Sequence, residues 1–187
     1  MKKKQPRRKG MRLHGFDYRT AAYYFVTICT YQKQWLFEEA EAKRILEITP
    51  QELPIWKGFA HVKIDAFVVM PNHIHFILIF VDGSLASNDF KIEPRRLAKS
   101  SGSAVATFKA NVTNRLRGIQ CDFDLKVWQR GYYDRIIRNE DELNRIREYI
   151  RQNPEKWEEG HEYTVNSLDK MLERMSYRRK KMLPLCG

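Results

Sequence analysis

The stretch from Val62 to Phe80 constrains the fold more than any other part of the chain. It reads VKIDAFVVM, then PNH, then IHFILIF: two strand-like apolar runs around a Pro-Asn punctuation at Pro71 and Asn72. β-Branched and aromatic residues fit a pleated, half-buried surface, and a proline beside an asparagine punctuates a chain that must turn. The expectation is an antiparallel strand pair joined tightly at that dipeptide.

The other elements fall around this pair. Residues Ala22 to Tyr31, AYYFVTICTY, have the composition of a buried strand. Between Glu38 and Thr49, apolar Ala42, Ile45 and Leu46 stand among charges, which predicts a helix ended near Pro50 and Pro54. A polar loop with Gly83, Ser84, Ser87 and Asn88 leads to a second helix, where Val105, Phe108, Val112 and Leu116 keep helical spacing and Gly118 is a candidate stop. Its other face carries Lys109, Arg115 and Arg117. Tyr132 to Arg138 reads as a short fourth strand. Asn139 can then cap a helix through Pro154 with Leu143, Ile146 and Ile150 as its inward stripe. The order βαββαβα predicts an α+β chain: a ferredoxin-like βαββαβ antiparallel sheet, two helices on one face, and an added C-terminal helix.

With 187 residues, 43% of them hydrophobic, the chain can build one compact core. The boundaries predicted are a basic flexible arm over 1–20, a core domain over 21–157 and a basic C-terminal extension over 158–187. The net charge is +11, with basic clusters at Lys2 to Lys9, Lys91 to Lys109 and Arg178 to Lys181, so a polyanion is the expected partner. No run of eighteen apolar residues exists and no apolar stretch of signal-peptide type follows the basic N-terminus, so the expectation is a cytoplasmic protein with no membrane partner. Cys29, Cys121 and Cys186 are widely spaced and lack the paired pattern of a zinc or redox motif.

Two sets of residues can carry chemistry. His73 and His75 are two apart in an expected strand, so both side chains emerge on one face and can converge on one ion through imidazole nitrogens. Taken alone, His-x-His more often means one histidine packed in the core and one solvated. Tyr149 and Asn153 are four apart on the last helix and share a face, so an amide oxygen could join a metal site with a phenol beside it. Taken alone, these residues fit better as an amphipathic tyrosine at the helix–sheet contact and a terminal turn before Pro154.

The residues VVMPNHIHFIL (Val68 to Leu78), VWQRGYYDRIIR (Val127 to Arg138) and REYIRQNP (Arg147 to Pro154) together resemble the REP-associated tyrosine transposases. These are relatives of the single-tyrosine HUH transposases of small bacterial insertion sequences. The opening YYFVTICTYQKQWLF is similar to that family's first strand and following turn, and the resemblance covers about residues 12 to 157. It implies that His73 and His75 are the metal-binding HUH histidines, that Tyr149 is the nucleophile and that Asn153 is a third metal ligand, a position often held by Gln in the wider group. Ile74 should point away from the metal into the apolar side of the sheet. Trp128 and Gln129 match the family in type without an assigned duty.

The activity implied is cleavage and rejoining of single-stranded DNA through a 5′-phosphotyrosine intermediate at hairpin-forming palindromic repeats. It would depend on Mg2+ or Mn2+, need no ATP, and take place at the bacterial nucleoid. The protein would act as a monomer or as a homodimer, in which helix exchange could set Tyr149 beside a partner's histidines. Candidate DNA contacts are Lys91, Arg95, Arg96 and Lys99, with Lys109, Arg115 and Arg117, although charge runs also serve as solvated surface. The main rival is a non-catalytic RNA- or DNA-binding module whose strand aromatics stack bases. A zinc hydrolase built on His73 and His75 lacks an evident third strong ligand and acidic base.

Overall fold

The computed structural model describes residues 22–81 and 100–158. Along the chain run β1 (Tyr23–Cys29), α1 (Ala40–Glu52), β2 (Val62–Met70), β3 (His73–Phe80), α2 (Ser101–Gln120), β4 (Tyr133–Ile137) and α3 (Glu140–Glu158). The order is the one expected. The two-residue Pro71-Asn72 turn joins β2 to β3, and the four strands form one sheet in the order β2-β3-β1-β4 with every neighbour antiparallel.

Side chains alternate across a strand, so β1 and β3 supply both faces of the sheet. Tyr24, Val26, Ile28, Ile74, Phe76 and Leu78 face a core shared with Ala42 and Leu46 of α1 and Val105, Phe108 and Val112 of α2. Phe25 and Ile77 face the opposite way, against Leu143, Ile146, Tyr149 and Ile150 of α3. The helix added after the last strand thus covers the face that α1 and α2 leave open. Simple alternation would put the wrong residues of β2 on each face. A register shift between Ile64 and Phe67 corrects this, since Ile64 and then Phe67 and Val69 all pack on the α1/α2 side. It also presents Asp65 to Arg147 of α3, whose guanidinium donates twice to the carboxylate at 2.7 Å.

α1 ends at Glu52, between the two prolines expected to end it, while two other helix boundaries differ from expectation. Pro50 lies inside α1, in its last turn, where Thr49 Oγ1 back-bonds to Ile45 O at 2.6 Å. Gly118 lies inside α2: a helical glycine costs about 1 kcal/mol but does not oblige a stop, and the left-handed residue that ends the helix is Cys121 (φ 51°). Pro154 lies inside α3, which runs on to Glu158 and carries Trp157 with it. The start of α3 is as expected. Asn139 Oδ1 accepts the Glu142 N–H at 2.9 Å, and the Glu142 carboxylate accepts the Arg138 N–H at 3.0 Å and Arg135 Nε at 2.8 Å. Asn139→Ala is expected to lower stability by about 1 kcal/mol, read as a lower thermal midpoint that Asn139→Ser restores.

Among the described residues no helix is long and apolar enough to cross a membrane. The expected arm over 1–20 lies outside the described residues, as does the extension over 158–187 apart from Glu158.

Candidate active site

His73 and His75 open the central strand β3 and point to the α3 side, while Ile74 between them is buried in the opposite core, as expected. The two Nε2 atoms stand 3.1 Å apart. Asn72 Oδ1 lies 2.6 Å from His73 Nδ1. An amide oxygen can only accept, so Nδ1 carries the proton and the lone pair of neutral His73 is at Nε2. Thr27, paired with His75 across the sheet, sets its Oγ1 2.8 Å from His75 Nδ1 and can accept from that nitrogen in the same way. Phe25 stacks on the His75 ring at 5.4 Å and 22°. Neighbours of this kind hold the outer ring nitrogens and aim the inner ones.

From the helix side, Tyr149 OH comes to 3.5 Å from His75 Nε2, and the Tyr149 ring meets Phe25 edge-on at 6.0 Å. One turn further on is Asn153, whose Nδ2 donates to Tyr149 O at 3.4 Å and whose Oδ1 is an oxygen of the kind that can accept a cation. A turn beyond that, Trp157 lies 5.8 Å from the ring of His73. Tyr149 beside His75 and Trp157 beside His73 bracket Asn153, so the i, i+4, i+8 row of α3 runs along the histidine pair. All four expected site residues are nine-tenths or more buried. The tyrosine stands beside the histidines of its own chain.

Burial holds the His75 imidazole well below its ordinary pKa of 6.5, and the neighbouring His73 pushes in the same direction. His75 is therefore neutral, the form that binds a metal. The sign for stability follows. Below about pH 6.5 the unfolded chain takes up a proton at this residue that the folded chain refuses. The metal-free protein is thus expected to lose stability as pH falls from 6.5, by up to about 1.4 kcal/mol per pH unit. Denaturant melts in chelator check this, and His75→Gln should flatten the slope.

The two neutral imidazole nitrogens, 3.1 Å apart, could together hold one divalent cation and leave its other positions to phosphate or water oxygens. No cluster of three or more His, Cys, Asp or Glu able to hold a metal occurs among the described residues, so a third protein donor there would be the neutral amide of Asn153. Among the described residues that set includes no strong third ligand of the kind a zinc hydrolase requires.

The expected DNA contacts divide differently. Lys91, Arg95, Arg96 and Lys99 lie outside the described residues. Lys109, Arg115 and Arg117 belong to α2, on the other side of the sheet from the histidines, and each has an internal partner. Lys109 Nζ donates to Gln129 O at 2.8 Å and Gly131 O at 3.1 Å. Arg115 reaches Thr49 Oγ1 and Glu52 of α1, and Arg117 holds Leu125 O. Trp128 is a packing residue, donating to Lys109 O at 3.1 Å and lying against Phe37 and Phe108. Sequence reasoning passed over Thr27, Asn72, Phe25 and Trp157. In sequence Asn72 reads only as turn punctuation, and Trp157 keeps the four-residue spacing of Tyr149 and Asn153 beyond Pro154, where the helix is expected to end.

Fold and site together define an α+β chain with a buried His-x-His pair on its central strand and a helix-borne tyrosine against it. The chain belongs to the same family as an uncharacterized protein of Haemophilus influenzae, with which it is 34% identical over 169 residues, covering 83% of this chain and 93% of that one. No family model matches it. Among solved structures it is similar to a REP-associated tyrosine transposase bound to a REP hairpin, at 18% identity and a TM-score of 0.49 over 78% of this chain and 73% of that one. It is also similar to a Deinococcus radiodurans protein provisionally described as a transposase, at 15% identity and a TM-score of 0.46 over 75% and 95%.

Proposed function

We propose that this protein cleaves and rejoins single-stranded DNA as a metal-dependent enzyme of the single-tyrosine HUH type, acting at hairpin-forming palindromic repeats. The observation that carries the reading is the Tyr149 hydroxyl 3.5 Å from His75 Nε2, itself converging with His73 Nε2. The motif resemblance supplies the substrate class, and the net charge of +11 suits a polyanion. In this reading His73, His75 and Asn153 hold Mg2+ or Mn2+, and phosphate contacts belong to Lys91, Arg95, Arg96 and Lys99. Lys109, Arg115 and Arg117 serve the packing described above.

A bound divalent ion would withdraw charge from the scissile phosphate and orient it. The Tyr149 oxygen attacks phosphorus. A Tyr–O–P bond forms, the bond from phosphorus to the 3′-oxygen breaks, the tyrosine gives up a proton and the released 3′-oxygen gains one. The product is a 5′-phosphotyrosine with a free 3′-OH, and attack by another 3′-OH reverses the step with no external energy source. Because all four site residues are covered, a phosphodiester reaches Tyr149 only in a more open conformation than this one.

The test is to incubate the protein with hairpin DNA carrying single-stranded flanks and Mn2+, then resolve the products on a denaturing gel. A covalent protein–DNA adduct that chelator prevents is expected. Tight hairpin binding that is indifferent to chelator, with no adduct on any hairpin of a repeat panel, would instead favour the non-catalytic binding module.

A further inference from the structure

We propose that the Trp35 indole is a stacking platform for an unpaired base of single-stranded DNA beside the histidine pair, a role that rests on the DNA-processing reading above. Five large apolar side chains are exposed among the described residues, and Trp35, at 57%, is the one whose ring contacts lead to the candidate site. Its ring lies 5.8 Å from Trp157, and Trp157 lies 5.8 Å from His73. The three rings form a continuous aromatic path from solvent to the proposed metal ligands.

The backbone holds the indole there. Thr30, fully buried, places its Oγ1 2.7 Å from Gln34 O and 2.9 Å from Asn72 O, which share its single hydroxyl proton, and its backbone N–H donates to Asn72 O at 2.9 Å. The peptide before Trp35 is thus tied to the residue that orients His73. Phe37 N donates to Pro71 O at 3.1 Å, fastening the far end of the same loop to the same turn. Between them Gln32 and Lys33 adopt left-handed conformations, φ 54° and 57°, which side-chain-bearing residues seldom take. A large aromatic so anchored yet left in water loses little conformational freedom when a planar ligand stacks on it. The ligand indicated is a nucleobase: every base offers a π-face, its phosphates suit the chain's +11 charge, and a base seated on Trp35 would lead its backbone toward His73 and Tyr149.

The test uses the full-length protein in chelator, with a short single-stranded deoxythymidine oligonucleotide and an all-abasic oligonucleotide of the same length. Wild type is expected to bind the base-bearing strand about 5- to 150-fold more tightly, with quenched tryptophan emission. Trp35→Ala should lose that preference while its affinity for the abasic strand is unchanged, and Trp35→Phe should keep most of it. No base preference in wild type, or an undiminished preference in Trp35→Ala at an unchanged thermal midpoint, overturns the proposal. If the alanine variant melts early, wild-type emission decides: no quenching on binding the base-bearing strand overturns the platform. The adduct assay reports separately. A Trp35-dependent base preference without any adduct sinks the enzymatic reading but keeps the platform, and adducts without base preference do the reverse.

Discussion

Tyr149→Phe is expected to lower covalent adduct formation by at least about a thousandfold, because it deletes the one atom that would bond to phosphorus while leaving its surroundings in place. The ring keeps its edge contact with Phe25 and its burial among Leu143, Ile146 and Ile150. The hydroxyl's contact to His75, at 3.5 Å, is long for a hydrogen bond, so its loss costs at most about 1 kcal/mol of stability. The variant should melt close to wild type, bind hairpin DNA with wild-type affinity, and yield no adduct on a denaturing gel. An adduct of undiminished yield would show that another residue is the nucleophile.

His75→Ala is expected to fail in two separable ways. His75 is 1% exposed, stacked on Phe25 and bonded to Thr27, so truncation opens a cavity and strands a buried hydroxyl. The cost should be about 2–4 kcal/mol, measurable by denaturant unfolding in chelator. The second effect concerns metal. A ligand at a hundred times its Kd stabilises a fold by about 2.7 kcal/mol, so Mn2+ should raise the melting temperature of wild type and not of the variant. His73→Ala should lose the same Mn2+ response at a smaller cost in stability, since His73 sits at the strand end beside the turn. An undiminished Mn2+ shift in both variants would remove the histidines from the metal site.

Much of this molecule was legible along the chain because the signals are local. Paired apolar runs around Pro71-Asn72 dictate a hairpin, Asn139 followed by Glu142 dictates a helix start, and two-residue spacing puts both histidines on one face. Pro50 and Pro54 do bracket the end of α1, but Pro154 removes a single N–H from a helix that its packing on the sheet sustains for another turn.

The roles of charge were less legible. Lys109, Arg115 and Arg117 look like a basic helix face in sequence, but two carbonyls near β4, Thr49 and Glu52 of α1, and Leu125 O come to them only when the chain is folded.

By itself the sequence determined the elements, their order, and the residue types for one chemistry: two imidazoles a strand repeat apart, and a phenol and an amide a helical turn apart. Tertiary structure alone decided that these two pairs meet. α3 could have packed elsewhere, but the apolar side of β1 and β3 not covered by α1 and α2 was the surface open to its stripe, and burying it laid Tyr149 against His75. Cross-strand register, which no local pattern reveals, set Thr27 behind His75, and beside the register shift in β2 Asp65 meets Arg147 of α3.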